Sequence, residues 1–312
     1  MQINRTNYLI TGATGFLGSN IIKKINNNFF KGKIYYTYRE KKLILKKKNL
    51  IPIKLDFSID SDLSKIKTFL SKIDVVIHCA NLAHGKYKLE LLRDINYNAT
   101  LRLAIICKIF SVKKFIFLST AKINMNYQNT YNNESSYKNN YSDDIYSKIK
   151  LETEEKLKKI FNFSNTKLYL LRPALIYGKN VKGNLKKLHK IVQLNLPLPF
   201  GLAKNKKTFC SIDNILNLII EISLMDFKSG SFIVCDNFRY SLKEIICEIS
   251  KKLGKKEKIF KINLNILKFL FYLLGKKEIY LSMFSEMKLL NCKLKRYSRV
   301  NYNKNLSNTK FL

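Results

Sequence analysis

Tyr146 and Lys150 stand one helical turn apart, on a stretch whose acidic start and i to i+4 Glu–Lys pairs predict a helix over 144–160. A phenol with an ordinary pKa of about 10 is a slow base near neutrality, and a neighbouring ammonium draws its proton away. At roughly 4 Å and an effective dielectric of about 20 that attraction is about 4 kcal/mol, or up to about three pKa units before screening. The same spacing occurs at Tyr38 with Lys42 and at Tyr272 with Lys276, so spacing alone decides nothing. Only Tyr146 and Lys150 follow a predicted strand, Lys114 to Leu118, that ends in a hydroxyl pair, Ser119 and Thr120. There Thr120 would hold a substrate oxygen beside the phenol while Tyr146 exchanges its proton.

A second constellation supplies the redox partner. The run Thr11 to Gly18, TGATGFLG, sits between the apolar Tyr8, Leu9 and Ile10 and the helical pattern of Ser19 to Ile25. Gly12, Gly15 and Gly18 fall where a tight turn, a close approach to a pyrophosphate and a helix-to-strand contact each exclude a side chain. Backbone N–H groups at the helix start then face phosphates, which makes Gly12, Thr14, Gly15, Phe16, Leu17 and Gly18 candidate dinucleotide contacts. A nicotinamide bound there would accept the hydride.

The elements that must position these groups alternate between strand and helix, which predicts an α/β doubly wound parallel sheet. The strands expected are Tyr8–Ile10, Lys33–Tyr38, Leu50–Leu55, Asp74–Cys79 and Lys114–Leu118. Ligands bind at the strand ends of such a sheet. At the end of the second, Arg39 suits the 2′-phosphate of NADP and Glu40 the 2′-hydroxyl of NAD, with a lean to NADP. Asp56, after the third, suits an adenine amine or simply caps a turn. Ala80 is small enough to let the cofactor pass. A helix over Leu89–Phe110 carries the polar Asn96 and Thr100, and 124–141, rich in Asn, Tyr and Ser, reads as a surface loop.

Composition excludes other classes. The chain of 312 residues is 46% hydrophobic, and its longest candidate stretch, Ile266 to Leu274, interrupted by Lys268, falls short of the ~20 residues of a membrane span. The first strand begins too early for a signal peptide, so a cytoplasmic protein is expected. Six dispersed cysteines read as reduced thiols, and three histidines, His78, His84 and His189, leave no metal site expected. The net charge of +36 is spread along the chain, so no nucleic-acid partner is expected, although an anionic substrate would benefit.

Together these residues resemble the extended short-chain dehydrogenase/reductase family over about Asn7 to Leu253. The resemblance implies a Rossmann domain, 1–170, a smaller C-terminal α/β substrate lobe, 171–292, partly interleaved with the sheet, and a polar basic tail, 293–312. It implies that Gly12, Gly15 and Gly18 bind the pyrophosphate and Asp56 the adenine, that Ser119 and Pro173 lie beside the cofactor, and that Thr120, Tyr146 and Lys150 are catalytic with Asn96 in support. LRPALIYG at 171–178 is similar to the family's strand and turn beside the nicotinamide, and VKGNL at 181–185 to its entry into the substrate lobe. The resemblance implies Asn184, Lys207 and Asp213 as substrate contacts. Ala121 and Lys122 replace the Asp-Glu pair of dehydratases, which removes the acid and base for eliminating water. Lys207 replaces an arginine and acts as a point charge. The implied activity is NAD(P)-dependent redox chemistry at C4 of a UDP-hexose or UDP-N-acetylhexosamine, as 4-epimerase or 4-ketoreductase in polysaccharide sugar biosynthesis. A homodimer pairing the helices 89–110 and 144–160 is implied too. The alternative is a non-enzymatic NAD(P) sensor on the same fold.

Overall fold

The computed structural model describes residues 5–26, 30–43, 47–58, 63–83, 87–124, 144–179, 181, 183–303 and 306. His84 and the expected loop beyond Asn124 lie outside them. Seven strands, β1 (Tyr8–Thr11), β2 (Ile34–Tyr38), β3 (Leu50–Lys54), β4 (Val75–His78), β5 (Lys114–Leu118), β6 (Lys167–Pro173) and β9 (Gly230–Val234), form one sheet in the order β3-β2-β1-β4-β5-β6-β9. Every pairing in it is parallel. All seven strands therefore end at the same edge.

The side-chain alternation of a strand sorts its residues between two cores. Tyr8, Ile10, Val75, Ile77, Ile116 and Leu118 face a core shared with α1 (Phe16–Ile25) and α7 (Ile212–Leu224). Leu9, Val76, Phe115 and Phe117 face the opposite core, against α2 (Ser64–Leu70), α4 (Ala99–Ile109) and α5 (Ile145–Phe161). Both faces are covered, which explains why these strands read as continuous apolar runs rather than as alternating ones.

The helix expected over 89–110 is present with one irregularity. α3 (Leu89–Arg93) passes through a π-helical turn, Asp94–Asn98, into α4. The widened turn holds Asn96, fully buried, opposite the segment that follows β4.

The smaller lobe has its own three-stranded sheet, β10 (Arg239–Ser241), β8 (Lys206–Ser211) and β7 (Leu175–Tyr177), with β8 parallel to β7 and antiparallel to β10. α6 (Asn184–Gln193), α8 (Leu242–Lys252), α9 (Leu264–Leu273) and α10 (Lys277–Phe284) pack around it on a third core. Phe16 packs against both this core and the α1 side of the large sheet. The chain returns to the large sheet at β9, and a helix, α11 (Cys292–Tyr297), packs on that strand. The expected polar tail from Lys293 therefore contains buried apolar anchors, Leu294, Tyr302 and Leu306, hidden in the sequence among basic residues.

Candidate active site

The glycine turn closes tightly on its surroundings. Gly12 has φ +62°, and a Cβ there would lie 2.6 Å from the backbone N of Ala80. A Cβ at Gly18 would meet the Gly12 carbonyl oxygen at 2.4 Å, so α1 packs directly onto the turn. A Cβ at Gly15 would meet only that carbonyl oxygen, at 3.1 Å. No side chain caps α1, and its first turn holds no acidic residue. The N–H groups of this first turn thus present a positive dipole end beside Gly15, where an anion is best accommodated. Thr14 is exposed, and Phe16 and Leu17 are half-buried.

Behind the turn runs a buried hydrogen-bond chain whose directions follow from its ends. The Thr11 hydroxyl oxygen accepts from the N–H groups of Cys79 and Ala80, at 3.2 and 3.1 Å. Its own proton therefore goes to His78 Nδ1, 2.7 Å away. The Thr100 hydroxyl donates to the Asn96 carbonyl at 3.0 Å, so it accepts from His78 Nε2–H at 2.9 Å. His78 is a neutral imidazole with the proton on Nε2. Burial brings its pKa down to about 3, and the Lys150 charge adds to the effect. The Asn96 side chain closes the chain on Leu82, accepting from its N–H at 2.8 Å and donating to its carbonyl at 3.2 Å.

This chain fixes the segment after β4, and with it Asn81. Asn81 donates from Nδ2 to the Tyr146 hydroxyl oxygen at 3.0 Å. Sequence reasoning passed over Asn81. Its signal was its position, directly after the strand-end Ala80.

Tyr146 and Lys150 lie on the first turns of α5. Lys150, fully buried, donates from Nζ to the Leu118 carbonyl at 2.9 Å and lies 4.3 Å from the centre of the Phe117 ring. Burial brings its pKa down to about 7, against the pull of Cys79 and Glu154. Burial pushes Tyr146 up to about 12, opposed by the Asn81 hydrogen bond and reinforced by Asp144. The expected lowering of the phenol by the ammonium is thus not what this structure holds. Lys150 Nζ sits 5.9 Å from the Tyr146 ring centre, turned toward the end of β5.

Two buried polar atoms near this pair, Ser119 Oγ and Asn81 Oδ1, have no hydrogen-bond partner among the described residues. Such groups are costly unless a ligand or water meets them. Thr120 follows at the strand end, half-buried, its hydroxyl accepting from the Lys122 N–H at 3.3 Å.

The remaining expected residues divide by location. Arg39 and Asp56 follow β2 and β3 at the same sheet edge. The Arg39 guanidinium is 3.5 Å from Glu40, both exposed, and Asp56 Oδ1 accepts from the Ser58 N–H and hydroxyl at 2.9 and 2.7 Å, forming the turn cap. Pro173 ends β6, half-buried. Lys207, on β8, donates to Ser285 Oγ at 3.1 Å; burial brings its pKa down to about 8, and the Lys122 charge adds to this. Asn184, exposed at the start of α6, and Asp213, in the first turn of α7, stand at helix starts rather than at the ends of the large sheet.

The model of the NAD dependent epimerase/dehydratase family matches residues 8–208, nearly two thirds of the chain. This chain belongs to that family. A UDP-glucose 4-epimerase of Vibrio cholerae is 29% identical over 259 residues, 79% of this chain and 76% of that protein. An N-acetyl-alpha-D-glucosaminyl-diphospho-ditrans,octacis-undecaprenol 4-epimerase of Escherichia coli O157:H7 is 23% identical, over 80% of this chain and 73% of that protein. Among solved structures, a UDP-glucuronic acid 4-epimerase from Bacillus cereus in complex with NAD superposes with a TM-score of 0.76 at 19% identity, covering 97% of this chain and 96% of that one. For this family member, the last comparison establishes the Rossmann-type fold.

Proposed function

We propose that this protein is an NAD-dependent nucleotide-sugar 4-epimerase acting on a UDP-hexose or UDP-N-acetylhexosamine. The observation that carries the reading is the contact of Asn81 with the Tyr146 hydroxyl, one helical turn from a buried Lys150 and beside Thr120 at the strand ends. The 4-epimerases among its relatives support the choice of reaction over 4-ketoreduction.

The residues fit a dinucleotide. Gly15 and the uncapped start of α1 receive a pyrophosphate, while Gly12 and Ala80 keep their backbones close beneath it. Ser119 Oγ and Asn81 Oδ1 are buried groups that a ligand would satisfy. When bound, NAD supplies the hydride acceptor and donor for C4. Tyr146 takes the proton of the C4 hydroxyl and returns it, and Asn81 supports the charged phenolate through its N–H. Thr120 holds the same substrate oxygen. Lys207, with Lys122 nearby, meets the negative diphosphate of the substrate as point charges. The homodimer across α4 and α5 fits the exposed Ile105, Ile109 and Ile145 on those helices.

The test pairs two assays. Incubation with UDP-hexoses and UDP-N-acetylhexosamines is followed by NMR for inversion at C4, and a 4-keto UDP-sugar is supplied while NAD(P)H absorbance is read. Inversion without net loss of NADH is expected. Stoichiometric NAD(P)H loss on the keto sugar without inversion replaces the epimerase with a ketoreductase. Inactivity in both assays with cofactor bound overturns the enzyme reading in favour of a sensor.

A further inference from the structure

The helical hairpin of the small lobe carries large apolar side chains that stay exposed among the described residues. α9 turns its Leu267 inward, while Ile266, Phe269, Leu270 and Leu273 follow one another at i, i+3, i+4 and i+7 on another stripe. These four are 54%, 66%, 41% and 72% exposed, where a surface helix ordinarily carries polar side chains. Leu274, directly after α9, is exposed as well, and so is Ile279 on α10. A contiguous apolar face of this kind marks an interaction surface.

The surroundings of the patch select its partner. Between residues 251 and 277 the sequence holds nine lysines and one acidic residue, Glu257. Lys268 and Lys277 lie over the Tyr272 ring, at 5.6 and 5.7 Å from its centre, on the flank of the apolar stripe. A second copy of a chain with net charge +36 would bring another lysine rim against this one. An anionic lipid surface complements both features, apolar side chains entering the acyl boundary and lysines meeting the headgroups. No helix among the described residues is long and apolar enough to cross a membrane. α9, about 15 Å long, is suited to lying in the interface plane.

We propose that the α9–α10 hairpin docks this protein onto the surface of an anionic lipid bilayer. The proposal neither requires nor tests the epimerase reading.

The chain contains no tryptophan, so a single Phe269→Trp substitution is a unique reporter. The full-length variant is mixed with vesicles of phosphatidylcholine alone and of phosphatidylcholine with phosphatidylglycerol. A blue shift with the anionic vesicles, and none with Ile109→Trp on α4, is expected. Because net charge alone draws a cationic protein to anionic lipid, F269Q/L273Q serves as a charge-neutral control. In co-sedimentation at high salt its binding should fall at least tenfold below wild type, with circular dichroism unchanged. Equal sedimentation of the two proteins, or a tryptophan emission in the Phe269→Trp variant unmoved by anionic vesicles, overturns the proposal. So does an apolar stripe that instead holds a dimer, shown by F269Q/L273Q becoming monomeric while wild type fails to bind vesicles.

Discussion

Asn81 donates a hydrogen bond to the hydroxyl oxygen of Tyr146, from the end of β4 to the first turn of α5, at 3.0 Å. An N–H donor favours the charged form of a phenol, so the contact opposes the burial that pushes Tyr146 up to about 12. Asn81→Ala should therefore lower kcat by ~10-fold or more and move the ascending, acid-side limb of the kcat/KM profile to higher pH. Tyr146→Phe should keep cofactor binding and lose at least ~100-fold in turnover. A pH profile unchanged in Asn81→Ala would show that the amide does not tune the phenol.

Lys150 is buried with a pKa brought down to about 7 from the ordinary 10.5. In the unfolded chain it binds a proton up to pH 10.5, so its folded site lowers stability progressively as pH falls from 10.5 to about 7. Lys150→Met removes that penalty and the bond to Leu118. It should raise stability at pH 7 by about 1 to 3 kcal/mol in protein without added cofactor, with a smaller gain at about pH 10. Activity should be lost in the same variant. Thermal unfolding across that pH range is the measurement, and a gain that grows with pH contradicts the argument.

His78 carries the same sign in a lower window. Its pKa, brought down to about 3 by burial, means that the unfolded chain takes up a proton below about 6.5 while the folded chain does not. Its contribution is fully present above pH 6.5 and is lost as pH falls toward 3, at up to about 1.4 kcal/mol per pH unit. His78→Gln can bridge Thr11 and Thr100 without titrating. Denaturant unfolding between about pH 6.5 and 5 should show a shallower loss in this variant than in wild type.

Arg172 and Glu154 form a fully buried pair linking β6 to α5, the guanidinium Nε lying 3.0 and 3.1 Å from the two carboxylate oxygens. Glu154→Ala strands a buried charge and should cost about 3 to 5 kcal/mol, whereas replacing both by Leu and Met should cost far less. Equal losses in the single and double variants, read by urea unfolding, would mean that the pair acts through packing.

The sequence leaned to NADP on Arg39, yet in the structure that guanidinium pairs with Glu40. NAD(H) should bind more tightly than NADP(H), because the Glu40 carboxylate repels a 2′-phosphate. Glu40→Gln should narrow the ratio of the two dissociation constants, measured by fluorescence titration. No change in the ratio removes both residues from cofactor choice.

Much of this architecture was legible because the large sheet is regular. β5 occupies the expected Lys114–Leu118, and the acidic start and i to i+4 Glu–Lys pairs located α5 to within a residue at each end. The π-helical turn at Asp94–Asn98 escaped because one widened turn leaves the apolar spacing almost unchanged. β7 and β10 escaped because three-residue strands carry no periodic signal and exist only through pairing with β8. Residue types and spacing singled out the glycines, Tyr146 and Lys150, which the structure places at the start of α1 and on the first turns of α5. Asn81 and His78 depended on partners distant in sequence, Asn81 in Tyr146 and His78 in Thr11. The stretch 266–274, weighed only as a span, is most of α9 and carries its outward stripe, Ile266, Phe269, Leu270 and Leu273.

The seventh strand of the sheet arrives late. β9 lies beyond residue 208, after β7, α6, β8 and α7 have been made, and pairs with β6 from Tyr169↔Gly230 to Pro173↔Val234. During synthesis from the amino end, the outer edge of β6 stays open while the ribosome builds β7, α6, β8 and α7. Leu170 and Leu171, buried in the finished fold, lie on that open strand. An unpaired apolar strand invites pairing with a neighbouring nascent chain. A product cut short between residues 208 and 230 would keep every residue of the glycine turn and of the Tyr146 cluster and yet be prone to aggregate.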